Sequence, residues 1–235
     1  MRFDVKLKKS RAIFCNYQKK IEKLFQERIR FQNLYKYEID FHNNDMKYIA
    51  GIDEAGRGSL AGPVVAAAVI LPEYFFVPDV KDSKKLTPKK REEIYPKILN
   101  RALDVGIGIV SAEVIDNINI AQATFLAMKR AIHQLKYIPE GVLVDGFKIK
   151  NISIPQIALT KGEDKSISIA AASIIAKVYR DNLMIQLDRK FPQFQFKKNK
   201  GYGTKDHFLA LRKFKATSYH RKSFAGVIVQ NGLQK

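Results

Sequence analysis

The sequence predicts an α/β domain built on a five-stranded sheet. Three observations carry that class: short, continuous apolar runs that suit strands buried on both faces, helical periodicities set between them, and glycines that punctuate the joins. The length of 235 residues and a hydrophobic content of 46% allow one sizeable core.

Residues 1–47 stand apart in composition. They are basic, and Ile13, Phe14, Tyr17, Ile21, Leu24, Phe25 and Ile29 fall near i, i+3, i+4, i+7 spacing, which predicts an amphipathic helix. Its expected role is a brace packed on the main domain. Residues 48–225 then form that domain, and 226–235 a tail.

The first strand is expected over Tyr48–Asp53 and the second over Pro63–Leu71. Thr87 followed by Pro88 marks a helix start, Thr as the N-cap and Pro at the first helical position. Val105–Val114 alternates Gly with Ile and reads as a third strand with one thin face, where a helix can approach closely. A helix is expected over Asn119–Leu135, strands over Gly141–Asp145 and Ile152–Leu159, and a long helix from Ser168 to about Lys190 whose Ala170-Ala-Ala-Ser173 run permits close packing. The last part, Phe191–Phe224, interleaves aromatic with basic residues, a composition suited to phosphate contact and stacking.

The formal net charge of +19 points to a polyanionic partner, nucleic acid above all. One cysteine, Cys15, excludes an internal disulfide or a thiolate zinc site and fits a reducing compartment, read here as the cytoplasm. No apolar run approaches the ~20 residues of a membrane span. The four histidines show no metal spacing, and His207 and His220 are expected at the surface.

Acids gather at strand ends: Asp53 with Glu54, Asp145, and the pair Glu163-Asp164. Carboxylates without Cys or His favour a hard ion, Mg²⁺ or Mn²⁺, and two such ions suit phosphodiester hydrolysis. Adjacent residues on a strand face opposite ways, so Asp53 and Glu54 are expected to share a site only if the strand bends. Two rivals stand beside this reading. One is a nucleic-acid-binding module without catalysis. The other is a dinucleotide site, since Gly56-Arg-Gly58-Ser-Leu-Ala61 fits GxGxxA, but Pro63 and a strand-like run follow where a helix should open.

Gly51-Ile-Asp-Glu-Ala-Gly-Arg-Gly58, Leu60-Ala-Gly-Pro63, Asp82-Ser-Lys-Lys-Leu86, Val144-Asp-Gly146, Lys161-Gly162, Ala170-Ala-Ala-Ser-Ile-Ile-Ala-Lys-Val178 with Arg180-Asp181, Lys200-Gly-Tyr-Gly-Thr204 and Tyr219-His-Arg-Lys-Ser-Phe224 together resemble bacterial ribonuclease HII over about residues 30–225. The resemblance implies a ribonuclease H-like fold, with a mixed five-stranded sheet flanked by helices and a helical C-terminal segment. It implies cleavage of RNA in RNA–DNA hybrids and at ribonucleotides embedded in duplex DNA, using two Mn²⁺ or Mg²⁺ ions and leaving 3′-hydroxyl and 5′-phosphate ends; separately, one compact domain makes a monomer the simplest expectation. Asp53, Glu54 and Asp145 then correspond to metal ligands, with Glu163 or Asp164 as the fourth catalytic carboxylate. Gly56, Arg57 and Gly58 correspond to the part that reads the ribose 2′-hydroxyl, Tyr202 to a stack on the neighbouring deoxyribose, and Lys84, Lys85, Thr204, Tyr219 and Arg221 to further substrate contacts. Two departures stand out. The usual Lys-Gly-Asp is Lys161-Gly162-Glu163-Asp164 here, and Ser59 replaces a usual Pro, which is expected to loosen the turn slightly.

Overall fold

The computed structural model describes residues 2–231, with side chains described for 14–229. Strands β1 (Ile49–Ala55), β2 (Val64–Ile70), β3 (Asp104–Val110), β4 (Gly141–Asp145) and β5 (Gln156–Leu159) form one sheet in the order β3-β2-β1-β4-β5. β1–β2 and β2–β3 are antiparallel, whereas β1–β4 and β4–β5 are parallel. β1 and β2 are buried on both faces, as their unbroken apolar runs require.

One face is covered by α4 (Ala112–His133), packed on Ala50, Ile52, Val64, Ala66 and Ala68. The other is covered by α5 (Ile167–Lys190) and α3 (Pro88–Leu99), packed on Ala67 and Val69. The thin face of β3 is where α4 lies: a Cβ on Gly106 or Gly108 would sit 2.0 Å and 1.9 Å from the carbonyl oxygens of Ala131 and Ala127. Gly51 plays the same part opposite, since its Cβ would come 2.1 Å from the Ser168 carbonyl carbon. Thr87 and Ser166 cap α3 and α5 through their side chains, at the backbone N–H of Lys90 and Ile169.

Three boundaries differ clearly from expectation. β3 ends at Val110 rather than Val114, because Ser111 caps a helix there by accepting from Val114 N. The expected start at Asn119 is a second capping point inside α4, where Asn119 has φ +66° and its side chain accepts from the N–H groups of Ala121 and Gln122. β5 is shorter than expected, starting after Pro155, which has no N–H for a ladder.

At the N-terminus, α1 (Arg2–Leu34) and α2 (Lys36–His42) are helical. The brace is narrower than expected: Phe31 and Leu34 are buried, but Phe14, Tyr17, Ile21, Leu24, Phe25 and Ile29 are exposed. The Ile13 side chain lies outside the described residues. α2 is anchored through buried Glu38, whose Oε1 accepts from the Ser166 and Ser168 hydroxyls at 2.6 Å each and from Ser168 N at 3.0 Å. The C-terminal part adds α6 (Phe196–Asn199), α7 (Lys205–Phe214) and α8 (Ala225–Asn231), with Val227 buried against Leu60 and Leu211 in a small core of their own. Residues 232–235 of the expected tail lie outside the described residues. Among the described residues no helix is long and apolar enough to cross a membrane.

Candidate active site

Register brings the first acids together. The last paired positions of β1 and β4 are Ile52 and Val144, so Asp53 and Asp145 each follow directly, on neighbouring strands. The expected bend is absent: β1 stays paired with β2 through Ala55. Asp53 is buried on the α5 side, held by its contact with Ser173, while Glu54 lines a cavity of about 440 Å³ with Thr124, Phe125 and Met128 of α4 and with Asp145. Asp145, at the strand end, therefore joins acids that point to opposite faces.

Glu163 and Asp164 sit in opposite environments. Both lie in a short turn, Gly162–Asp164, entered through Lys161 in the left-handed region. Glu163 is buried beside Asp145, accepts from Lys84 Nζ at 3.3 Å, and leaves Oε2 buried without a partner. Asp164 points outward and pairs with Lys85 at 2.5 Å. Asp145 is itself pinned, its Oδ1 accepting from Gly162 N at 2.7 Å.

The electrostatics show acids packed closer than water alone would favour. Burial pushes the Asp53 carboxyl well above the usual range, and the charges of Glu54 and Asp145 push it further. Glu54 and Asp145 are raised by burial too, Glu54 partly relieved by Arg57 and Asp145 by the Gly162 N–H. Among the described residues no three acidic or histidine side chains already close into a cage. The all-oxygen donor set, the mutual repulsion and the orphaned Glu163 Oε2 nonetheless fit a hard divalent cation.

Beside the acids, Gly56 has φ +94°, a conformation that favours glycine, and its Cβ would fall 1.9 Å from Arg180 Nε. Gly58 differs: a Cβ there would meet nothing within 4 Å. Arg57 lies over the site, 3.3 Å from Glu54 Oε1.

The readings of four residues change. Arg221 is fully buried and cannot reach substrate; its guanidinium donates to the carbonyls of Gly56, Arg57 and Gly62 at 2.7–3.1 Å. Ser59 fastens the turn rather than loosening it, donating to Gly56 O at 2.8 Å and accepting from Arg180 at 2.7 Å. His207 and His220 are buried, not at the surface. Lys84, Lys85, Tyr202, Thr204 and Tyr219 are at least partly exposed; Thr204 also caps α7, and Tyr219 O accepts from Gly62 N.

Sequence reasoning passed over two residues. Arg180, also fully buried, donates to the carbonyls of Ala61, Pro63 and Lys200, so two guanidiniums that pair with no carboxylate among the described residues hold the segment 56–63 from behind. Ser173 was readable as packing alone, yet it touches Asp53 and donates to Ser83 Oγ at 2.9 Å. The motif Arg180-Asp181 carried a signal for the first; nothing local distinguished the second.

Solved structures share this fold. Ribonuclease H2 from Pyrococcus horikoshii OT3 superposes with a TM-score of 0.70 at 26% identity, over 79% of this chain and 97% of that one. Bst-RNase HIII in complex with Mn²⁺ gives 0.66 at 21% identity over 79% and 70%, a likeness of fold alone. Sheet and acids together define a ribonuclease H, a metal-dependent endonuclease acting by hydrolysis. A family model described as Ribonuclease HII matches residues 50–227, and the chain belongs to that family. Ribonuclease HII of Lactobacillus delbrueckii subsp. bulgaricus is 49% identical over 223 residues, covering 95% of this chain and 86% of the relative.

Proposed function

We propose that the protein cleaves the RNA strand of RNA–DNA hybrids and cuts at single ribonucleotides in duplex DNA, leaving 3′-hydroxyl and 5′-phosphate ends. The observation that carries this reading is the juxtaposition of the carboxylates with Gly58, whose missing side chain no neighbour within the protein requires. A glycine kept beside open space suits a partner whose backbone or sugar must come close.

Asp53, Glu54, Asp145 and Glu163 are the residues that would hold two divalent ions, Mn²⁺ or Mg²⁺; Bst-RNase HIII has been solved with Mn²⁺. A bound pair supplies an activated water and charge to stabilise the departing oxygen. The chain's own residues do the rest. With the carbonyls of Gly56 and Arg57 drawn back by Arg221, and Ser59 Oγ held by Arg180, the backbone of residues 56–58 is set for the ribose 2′-hydroxyl, the group that separates RNA from DNA. Tyr202 stacks on the adjoining deoxyribose. Lys84, Lys85, Thr204 and Tyr219 border the phosphates.

The net charge of +19 opposes self-association, in keeping with a monomer, and the single cysteine suits the cytoplasm. We take 48–225 as the catalytic unit with 1–47 as its basic extension, α8 packing back on that unit.

The test is a duplex with one ribonucleotide, incubated with Mg²⁺ or Mn²⁺ and with chelator, the cut mapped. Cleavage of an O3′–P bond at the ribonucleotide, leaving 3′-hydroxyl and 5′-phosphate ends and lost with chelator and in Asp53→Asn while binding persists, is the expected result. Cutting by Asp53→Asn at the parent rate overturns the site; no cutting of any substrate leaves only a binding module.

A further inference from the structure

His207 and His220 take no part in the acid site, yet they are 0% and 1% exposed and lie Nε2 to Nε2 at 3.0 Å. Their hydrogens can be assigned from the ends of the chain of bonds. A carbonyl oxygen only accepts, so His207 Nδ1, 2.9 Å from Tyr202 O, carries a hydrogen. A backbone N–H only donates, so His220 Nδ1, 3.0 Å from Thr217 N, is a bare lone pair, shared with the Thr217 hydroxyl at 2.9 Å. The two neutral rings then fit in one way: His220 Nε2–H donates to His207 Nε2. Phe194 and Phe196 pack around both rings, and burial lowers both pKa values, His220 to about 3.

The ends of this relay matter. Its His207 end fixes the carbonyl of Tyr202, which Thr204 N also holds at 2.8 Å. Its His220 end is bridged to Ala61, with Tyr219 O and Arg221 N bonded to Gly62 N and Leu60 O on either side. That segment is the return limb of the Gly56-Arg57-Gly58 turn. Direct bonds from Leu60 N and Ala61 N to Gly201 O run alongside.

We propose that His207 and His220 are positioning residues for substrate selection, a one-way hydrogen-bond relay that sets the spacing between the turn that reads ribose and the tyrosine that stacks on the next sugar. The proposal rests on those two roles and adds the device that couples them. Loosening the relay leaves the carboxylates in place, so it changes which sugar junction is accepted more than how fast an accepted one is cut.

Two measurements test it. Nitrogen-15 NMR of the imidazoles near pH 6.5 is expected to show two neutral rings of opposite tautomer, Nδ1–H at His207 and Nε2–H at His220. Like tautomers, or a charged ring, overturn the relay whatever the activity. In the second, kcat and KM are compared on a single-ribonucleotide duplex and on a continuous hybrid for Tyr202→Ala, His220→Leu and His220→Gln. Gln keeps an N–H donor near the ε position; Leu keeps only bulk.

A misplaced contact can cost up to about a hundredfold. His220→Leu is therefore expected to lower the single-ribonucleotide to hybrid ratio of kcat/KM at least about tenfold, chiefly through KM, and His220→Gln to restore it to within about threefold. If Tyr202→Ala lowers the ratio and folded His220→Leu does not, the relay proposal fails alone. If Tyr202→Ala leaves it unchanged, the stacking role itself is wrong. Should His220→Leu not fold, the NMR result and His220→Gln decide.

Discussion

Replacing Glu163 by Gln, beside Asp164 by Asn, tests the site at its most informative point, because the two acids are neighbours in sequence and opposites in environment. Asp164 is 40% exposed on its side chain and pairs with Lys85, 53% exposed. Such a surface pair is worth about 0–1 kcal/mol, so Asp164→Asn should move the melting temperature by no more than about 4 °C and cleavage by no more than about fivefold. Glu163 is 6% exposed on its side chain, with one oxygen unsatisfied and Asp145 beside it. Gln removes a charge from a crowded set of acids and offers an amide N–H to Asp145, so the metal-free protein should melt no lower than the parent. Cleavage should nonetheless fall at least about a hundredfold, roughly 2.7 kcal/mol on the barrier, because a ligand oxygen has lost its charge. The assays are thermal melting in chelator and initial rates on a single-ribonucleotide duplex with Mn²⁺. A residue that serves structure alone would lose both together. Retained cleavage in Glu163→Gln, or equal losses in both variants, refutes the assignment.

Gly51→Ala forces a methyl to 2.1 Å from the α5 backbone and should cost about 3 kcal/mol, seen as a melting temperature lower by roughly 6–12 °C. Gly58→Ala should leave stability within about 0.5 kcal/mol, because nothing lies within 4 Å, yet slow cleavage at least about tenfold; unchanged kinetics would remove Gly58 from the substrate surface. The pH dependence of stability should carry the mark of His220. Its folded pKa, about 3, lies below the ordinary 6.5, so the unfolded chain takes up the proton first, and stability present above pH 6.5 drains away as pH falls toward 3. The raised acid cluster acts in the opposite sense, so the quantity to measure is the difference between parent and His220→Gln. Its slope between pH 6 and pH 4 should approach about 1.4 kcal/mol per unit, and no difference would contradict a buried neutral ring.

Much of this architecture was legible because local rules and burial agree. The apolar runs at β1, β2 and β4, the Thr87-Pro88 start and the Gly106/Gly108 thin face each have one physical reading, and the structure follows it. The reading of 111–114 as strand failed because a short apolar stretch does not show its period, and Ser111 outweighed it as a cap. The charged residues were hardest. Arg221 sits among bases that suggest solvent and phosphate, yet carbonyls more than 150 residues away in the chain engage all three of its side-chain nitrogens. The choice between Glu163 and Asp164 likewise depends on the twist of one turn, set by a left-handed Lys161 that nothing local announces. The apolar stripe of α1 shows the converse: the helix forms as its period demands, but the stripe from Phe14 to Ile29 meets no core.

The acids come from β1, β4 and the turn before α5, a span of 110 residues from Asp53 to Glu163, and β5 precedes that turn in the chain. A chain still being made therefore carries positive charge long before it carries an assembled set of carboxylates. On the proposed reading, cutting waits until residue 163 has emerged and lies beside Asp145, and a fragment severed between β1 and β4 would lack the full set of acids.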